Sequence, residues 1–127
     1  MSGVNVPPHV GEEVAREYLQ IGIADLSAEA SYYLVAPCAG KISRIRSITD
    51  GAVGTADVTI TPSIDGVAIT GGVLTIATAA SAAGDVDEAV PSAANRVAVG
   101  SKISMAVTGG GAGGTPRGQL VFVIDRD

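Results

Sequence analysis

The chain has 127 residues, about one domain, with eight Lys and Arg against thirteen Asp and Glu and a formal net charge of −5. That balance opposes general adhesion to nucleic acid or anionic lipid. No run approaches the ~20 apolar residues that span a bilayer, and the single cysteine, Cys38, excludes an intrachain disulfide framework and C-x-x-C metal or redox chemistry.

Hydrophobic residues make up 46% of the chain but aromatics only 3%, with no Trp, so the core must be built mainly from Val, Ile, Leu and Ala. Together with 17 Gly and six Pro, this predicts many short strands joined by tight turns. The opening stretch MSGVNVPPHVGEEV lacks a basic region followed by an apolar run, so no secretory leader is expected. Residues 1–17, with Pro7, Pro8 and His9 ahead of Glu12, Glu13, Arg16 and Glu17, read as an extended N-terminal arm with one helical turn at Glu12–Tyr18.

From Tyr18 the signals turn to β. Tyr18–Ile23 and Ser31–Ala36 are candidate strands, the second stopped by Pro37. In Lys41–Ile48 the isoleucines Ile42, Ile45 and Ile48 recur every three residues and fit neither a clean strand nor a clean helix. β-Branched content and the Asp50-Gly51 turn favour a strand. Asp57–Asp65 alternates without a break, with Val58, Ile60, Pro62 and Ile64 on one side and Thr59, Thr61 and Ser63 on the other, as a half-buried strand does. Asp65-Gly66 then predicts a two-residue hairpin into a return strand, Val67–Thr70.

Further strands are predicted at Val73–Ala77, Asp85–Val90 and Lys102–Val107, and the last at Gln119–Ile124. Leu120, Phe122 and Ile124 alternate there with Val121 and Val123, so both faces are apolar and the strand should be central or covered on both sides. The fold class expected is all-β: a single antiparallel β-sandwich or jelly-roll-like domain over residues 18–127, preceded by the arm at 1–17.

The glycine-rich segment Thr108–Gly118 contains G-x-G-x-x-G at Gly109, Gly111 and Gly114. A nucleotide cradle needs a strand running in and a helix running out. Here a strand is predicted on each side, and Thr115 stands where a Walker loop requires Lys, so a hairpin loop is the expectation. Asp85, Asp87 and Glu88 could offer oxygens to Ca²⁺, but the full calcium loop is absent, a solvated acidic edge accounts for them better, and no metal is expected. With His9 as the only histidine, no Ser-His-Asp or multi-histidine arrangement is available, so neither an enzyme nor a cofactor is expected. Lys41, Arg44 and Arg46 form a basic cluster, with Arg44 and Arg46 on one strand face. They would meet an acidic partner surface or be balanced by nearby acids.

Several stretches resemble one family. V-x-P-x-A-G-x-I at Val35, Pro37, Ala39, Gly40 and Ile42, T-A-D-V-T-I at Thr55–Ile60, A-A-G-D-V at Ala82–Val86 and N-R-V-A-V-G-S-K-I at Asn95–Ile103 are similar to the small β-rich head proteins of tailed bacteriophages, including capsid decoration, or cementing, proteins. The resemblance implies a non-enzymatic subunit on the outer capsid surface of the virion, often a homotrimer, that stabilises the lattice of major capsid proteins. Partner contacts would then come from Pro7, Pro8 and His9 of the arm, from Lys41, Arg44 and Arg46, and from Arg117 beside the glycine loop. Neither nucleic acid nor membrane is expected as a partner. The alternative is a receptor- or glycan-binding head of a virion fibre or spike, working through exposed loops such as Thr108–Gly118.

Overall fold

The computed structural model describes residues 15–79, 81–109 and 115–127, which contain no helix. Ten strands run Arg16–Ile23 (β1), Ala30–Val35 (β2), Gly40–Thr49 (β3), Val58–Ile64 (β4), Val67–Ala68 (β5), Leu74–Ile76 (β6), Val86–Ala89 (β7), Arg96–Val97 (β8), Lys102–Gly109 (β9) and Gly118–Arg126 (β10). All pairings are antiparallel, and the strands form two five-stranded sheets packed as a sandwich, as the sequence predicts. Sheet one is ordered β2-β9-β4, with β5 and β6 sharing the far edge of β4. Sheet two is ordered β1-β10-β3, with β7 and β8 sharing the far edge of β3.

Alternation along β4 sends Val58, Ile60, Pro62 and Ile64 inward and leaves Thr59, Thr61 and Ser63 on the outside. They meet Ile103, Met105 and Val107 of β9 and, from sheet two, Ile42, Ile45, Leu120, Phe122 and Ile124 in one apolar cluster. Burying each such side chain fully is favourable by about 1.5–3 kcal/mol. Phe122, fully enclosed at the middle of β10, is the largest of them. Cys38 is a small buried side chain at the edge of the same cluster.

The ambiguous isoleucine run is a strand with a bulge. Val123 pairs with Arg44 but Ile124 pairs with Ile42, so Ser43 is an extra residue in β3. An extra residue resets the inside-outside phase. Ile42 and Ile45 therefore both face the core although three apart, at 0% and 1% exposure, while Ile48 falls outside at 44%. The same shift keeps Lys41, Arg44 and Arg46 all on the outer side.

β10 pairs with β1 on one side and β3 on the other, the central position expected of it. Val121 and Val123 face outward, yet Val123 is buried.

Two expectations need correction. The helical turn at Glu12–Tyr18 does not hold where the structure describes it: Arg16–Tyr18 are strand, because Asp125, Ile124 and Val123 offer them a ladder, and so Arg16 and Glu17 belong to the sheet instead of the arm. The return strand Val67–Thr70 shrinks to Val67–Ala68, because β6 occupies the remainder of the β4 edge and Thr70 bridges to Ala93 instead.

Asp65 and Gly66 have φ of 49° and 86°, the two left-handed positions that a tight hairpin requires. The Asp65 carboxylate also accepts the Lys102 N–H at 2.9 Å, tying this turn to the start of β9. Gly109, which closes β9, has φ of 86°, and a Cβ there would collide with the Asp57 carbonyl oxygen. Both constraints act at one residue. Gly109→Ala is expected to destabilise the fold by about 1–3 kcal/mol, read as a lower urea midpoint with an unchanged slope; an unshifted midpoint would contradict the assignment.

Candidate interaction surfaces

The two outer faces of the sandwich are chemically unlike. On sheet two, cross-strand register aligns Gln20, Val121, Arg46 and Glu88 in one row, and Arg16, Asp125 and Lys41 in another. Lys41, Arg44, Arg46 and Arg117, singled out in the sequence, are thus brought to one face or its rim. Pro7, Pro8 and His9 lie outside the described residues.

Most of these cations are already engaged within the molecule. Glu88 takes Arg46 Nε at 2.6 Å and Arg44 Nη1 at 3.4 Å, while Arg16 pairs with Asp125 at 3.0 Å and Arg96 with Asp127 at 2.8 Å. The hydrogen bond from Arg46, aided by the charges of both arginines, holds the Glu88 carboxyl below the usual range. Sequence reasoning found the basic cluster but not its partner, since Arg46 and Glu88 meet only when β3 and β7 pair.

Arg117 is held just as firmly. Its backbone N–H donates to Asp50 Oδ1 at 2.7 Å and its Nε to Asp50 Oδ2 at 2.9 Å, and the backbone bond is the larger reason that the Asp50 carboxyl sits low. The pair lines a shallow hollow of about 570 Å³ at the end of this face, together with Gly22, Ile48 and Gln119.

Asp85, Asp87 and Glu88 do not converge. Asp85 Oδ2 accepts the Ala82 N–H and closes a turn, Glu88 faces outward to the arginines, and Asp87 is half-buried, its carboxyl pushed up by desolvation and then by Asp85. Among the described residues no three His, Cys, Asp or Glu side chains gather to hold a metal. The glycine segment is entered from β9 and left through β10, a strand on each side; Gly111 and Gly114 lie outside the described residues.

Sheet one presents a different surface. Ser31 and Tyr33 of β2, Ser104, Ala106 and Thr108 of β9, Thr59, Thr61 and Ser63 of β4 and Thr75 of β6 make a broad array of small, mostly hydroxyl-bearing side chains. Lys102 at its corner is the charge on these strands; Tyr33 and Val35 stand exposed along one side.

No protein-family model matches this sequence, and neither does any curated protein. Solved structures with a similar arrangement include the carbohydrate-binding module CBM36 in complex with calcium and xylotriose, at 15% identity, covering 88% of this chain and 92% of that one, with a TM-score of 0.39. FLHE matches at 13% identity over 88% of this chain and 98% of that one, TM-score 0.37. A protein of infectious bursal disease virus, Gx strain, matches at 17% identity over 95% of this chain but 37% of that one, TM-score 0.37.

The ion pairs set a pH dependence. Glu88 and Asp50 have depressed folded-state pKa values, so their contribution is present above their ordinary values and is lost as the pH falls through the folded ones. Asp87 acts in the opposite sense, its raised pKa favouring the fold as it protonates. The Glu88→Gln, Asp50→Asn double variant should show a urea midpoint that is lower than wild type at pH 7 and falls less steeply in acid. Parallel curves would mean that these pairs contribute nothing.

Proposed function

We propose that the chain is a non-enzymatic structural subunit that seats on the outer surface of a bacteriophage capsid and braces its lattice, as its resemblance to decoration proteins implies. The observation that supports this most is the outer face of sheet one, whose strands carry no charge but Lys102 at one corner. On a chain of net charge −5, a face of Ser, Thr and Ala bordered by Tyr33 shares two traits of an interface centre, its depletion of charge and its aromatic neighbour. Sheet two, with its arginines paired to carboxylates in place, then faces solvent. Its ion pairs keep that exposed side soluble.

The test is co-sedimentation with purified capsid shells of the parent virion. The protein should pellet with the shells and raise their disassembly temperature. Thr61→Lys with Ser104→Lys, placing two cations in the neutral face, should weaken binding at least tenfold while circular dichroism stays unchanged. Protein left in the supernatant would overturn the reading.

The hollow beside Asp50 and Arg117 supports a second reading, a receptor- or glycan-binding head. A carboxylate, a guanidinium and Gln119 beside the aliphatic Ile48 offer the donors and acceptors that a sugar's hydroxyls need. Binding on a glycan array that is lost in Arg117→Ala would favour it, and a blank array would exclude it.

A further inference from the structure

Sheet edges expose unpaired N–H and C=O groups, and folded proteins blunt them with charge, proline, bulges or shortness. Most edges here carry such a device. β5, β6 and β8 have two or three residues, β7 has four and carries Asp87 and Glu88, and β1 begins with Arg16 and Glu17. β2 has none of them: its six residues, Ala-Ser-Tyr-Tyr-Leu-Val, include no charge and no proline, and its register with β9 runs without a bulge.

The direction of its free groups follows from its inner pairing. Ala36 donates its N–H to the Ser101 carbonyl at 2.9 Å and accepts the Gly100 N–H at 2.9 Å, so its main chain faces β9. By alternation, Tyr32 and Leu34 also face β9, and the N–H and C=O of Ser31, Tyr33 and Val35 point to the open side. Among the described residues no strand pairs with that side. Tyr33 and Val35 are 60% and 66% exposed.

We propose that two copies of the chain pair through β2, antiparallel, with Tyr33 on the twofold axis, fusing their sheets into one continuous sheet. In that register Tyr33 lies opposite Tyr33 of the second copy and Ser31 opposite its Val35. Every free N–H and C=O of the three edge residues then finds a partner. The arrangement is self-complementary, as a twofold interface must be. Charge permits it: Glu29, the acid nearest the strand, falls opposite Pro37 of the second copy, not opposite another acid. The two neutral faces become one surface of twice the extent. The pairing rests on the strand edge and not on the capsid reading, and it predicts a dimer where the family resemblance implies a trimer.

Sedimentation equilibrium and amide exchange at NMR concentrations test this on the full chain. The expected species has twice the 12.6 kDa mass of the chain. Amides of Ser31, Tyr33 and Val35 should be protected in it and lose that protection at least tenfold on dilution, while Tyr32 and Leu34 stay protected throughout. Tyr33→Pro removes an N–H that makes no bond to β9, and it should leave a folded monomer. If that variant fails to fold, Tyr33→Lys, which sets two cations against each other across the axis, serves the same purpose. A monomer at these concentrations, a trimer, or a dimer whose three edge amides exchange freely would each overturn the proposal.

Discussion

Neither sheet holds together without its centre, and both centres come from one stretch of the chain. β9 is held between β2 and β4, and β10 between β1 and β3, so the strands on either side reach each other only through them. Apart from the β4–β5 hairpin, every strand pair joins segments distant in sequence. The inward residues of these two strands, Ile103, Met105 and Val107 with Leu120, Phe122 and Ile124, also form the middle of the core. Hydrogen bonding and apolar burial therefore converge on the same residues. This accounts for the tight backbone approaches at their ends, where Gly109 nears the Asp57 carbonyl and Gly40 nears that of Asp125.

Sharing one core allows the two outer faces to diverge. Inward positions are apolar on both sheets apart from Ser47 and Thr49 of β3, so most of the distinction between the faces lies in the alternate residues, which the fold leaves free. On sheet two those residues are cations and anions from distant strands, arranged so that each arginine of the face meets a carboxylate. Surface pairs of this kind add little to stability, and they leave few cations free to recruit an acidic partner. On sheet one the alternate residues are mostly small hydroxyl-bearing side chains, joined by Tyr33, Val35, Ala106 and Lys102, and the capsid-seating reading draws on that contrast.

Much of this was legible in the residues. The alternation of Asp57–Asp65, the Asp65-Gly66 turn and the two-faced apolar strand at Gln119–Ile124 identify β4, its hairpin and the central position of β10, because each signal is local. What failed was non-local. Nothing near Arg16–Tyr18 announces that Asp125–Val123 will complete a ladder with it, and nothing near Val67–Thr70 says that β6 will claim the same edge. The spacing of Ile42, Ile45 and Ile48 looked anomalous until the pairing with β10 exposed the extra residue, Ser43. The basic cluster was visible, but the pairing of Arg44 and Arg46 with Glu88 depends on the register between β3 and β7.

The hydroxyl-rich face has a consequence for how contacts made by this molecule respond to their medium. Coulombic contacts fade as ionic strength rises, whereas burial of uncharged surface strengthens in excluded, kosmotropic salts such as sulfate. The two faces of the sandwich thus respond in opposite directions to the same change of solution. A partner held by sheet one would be gripped harder by the concentrated salt that would loosen anything held by sheet two.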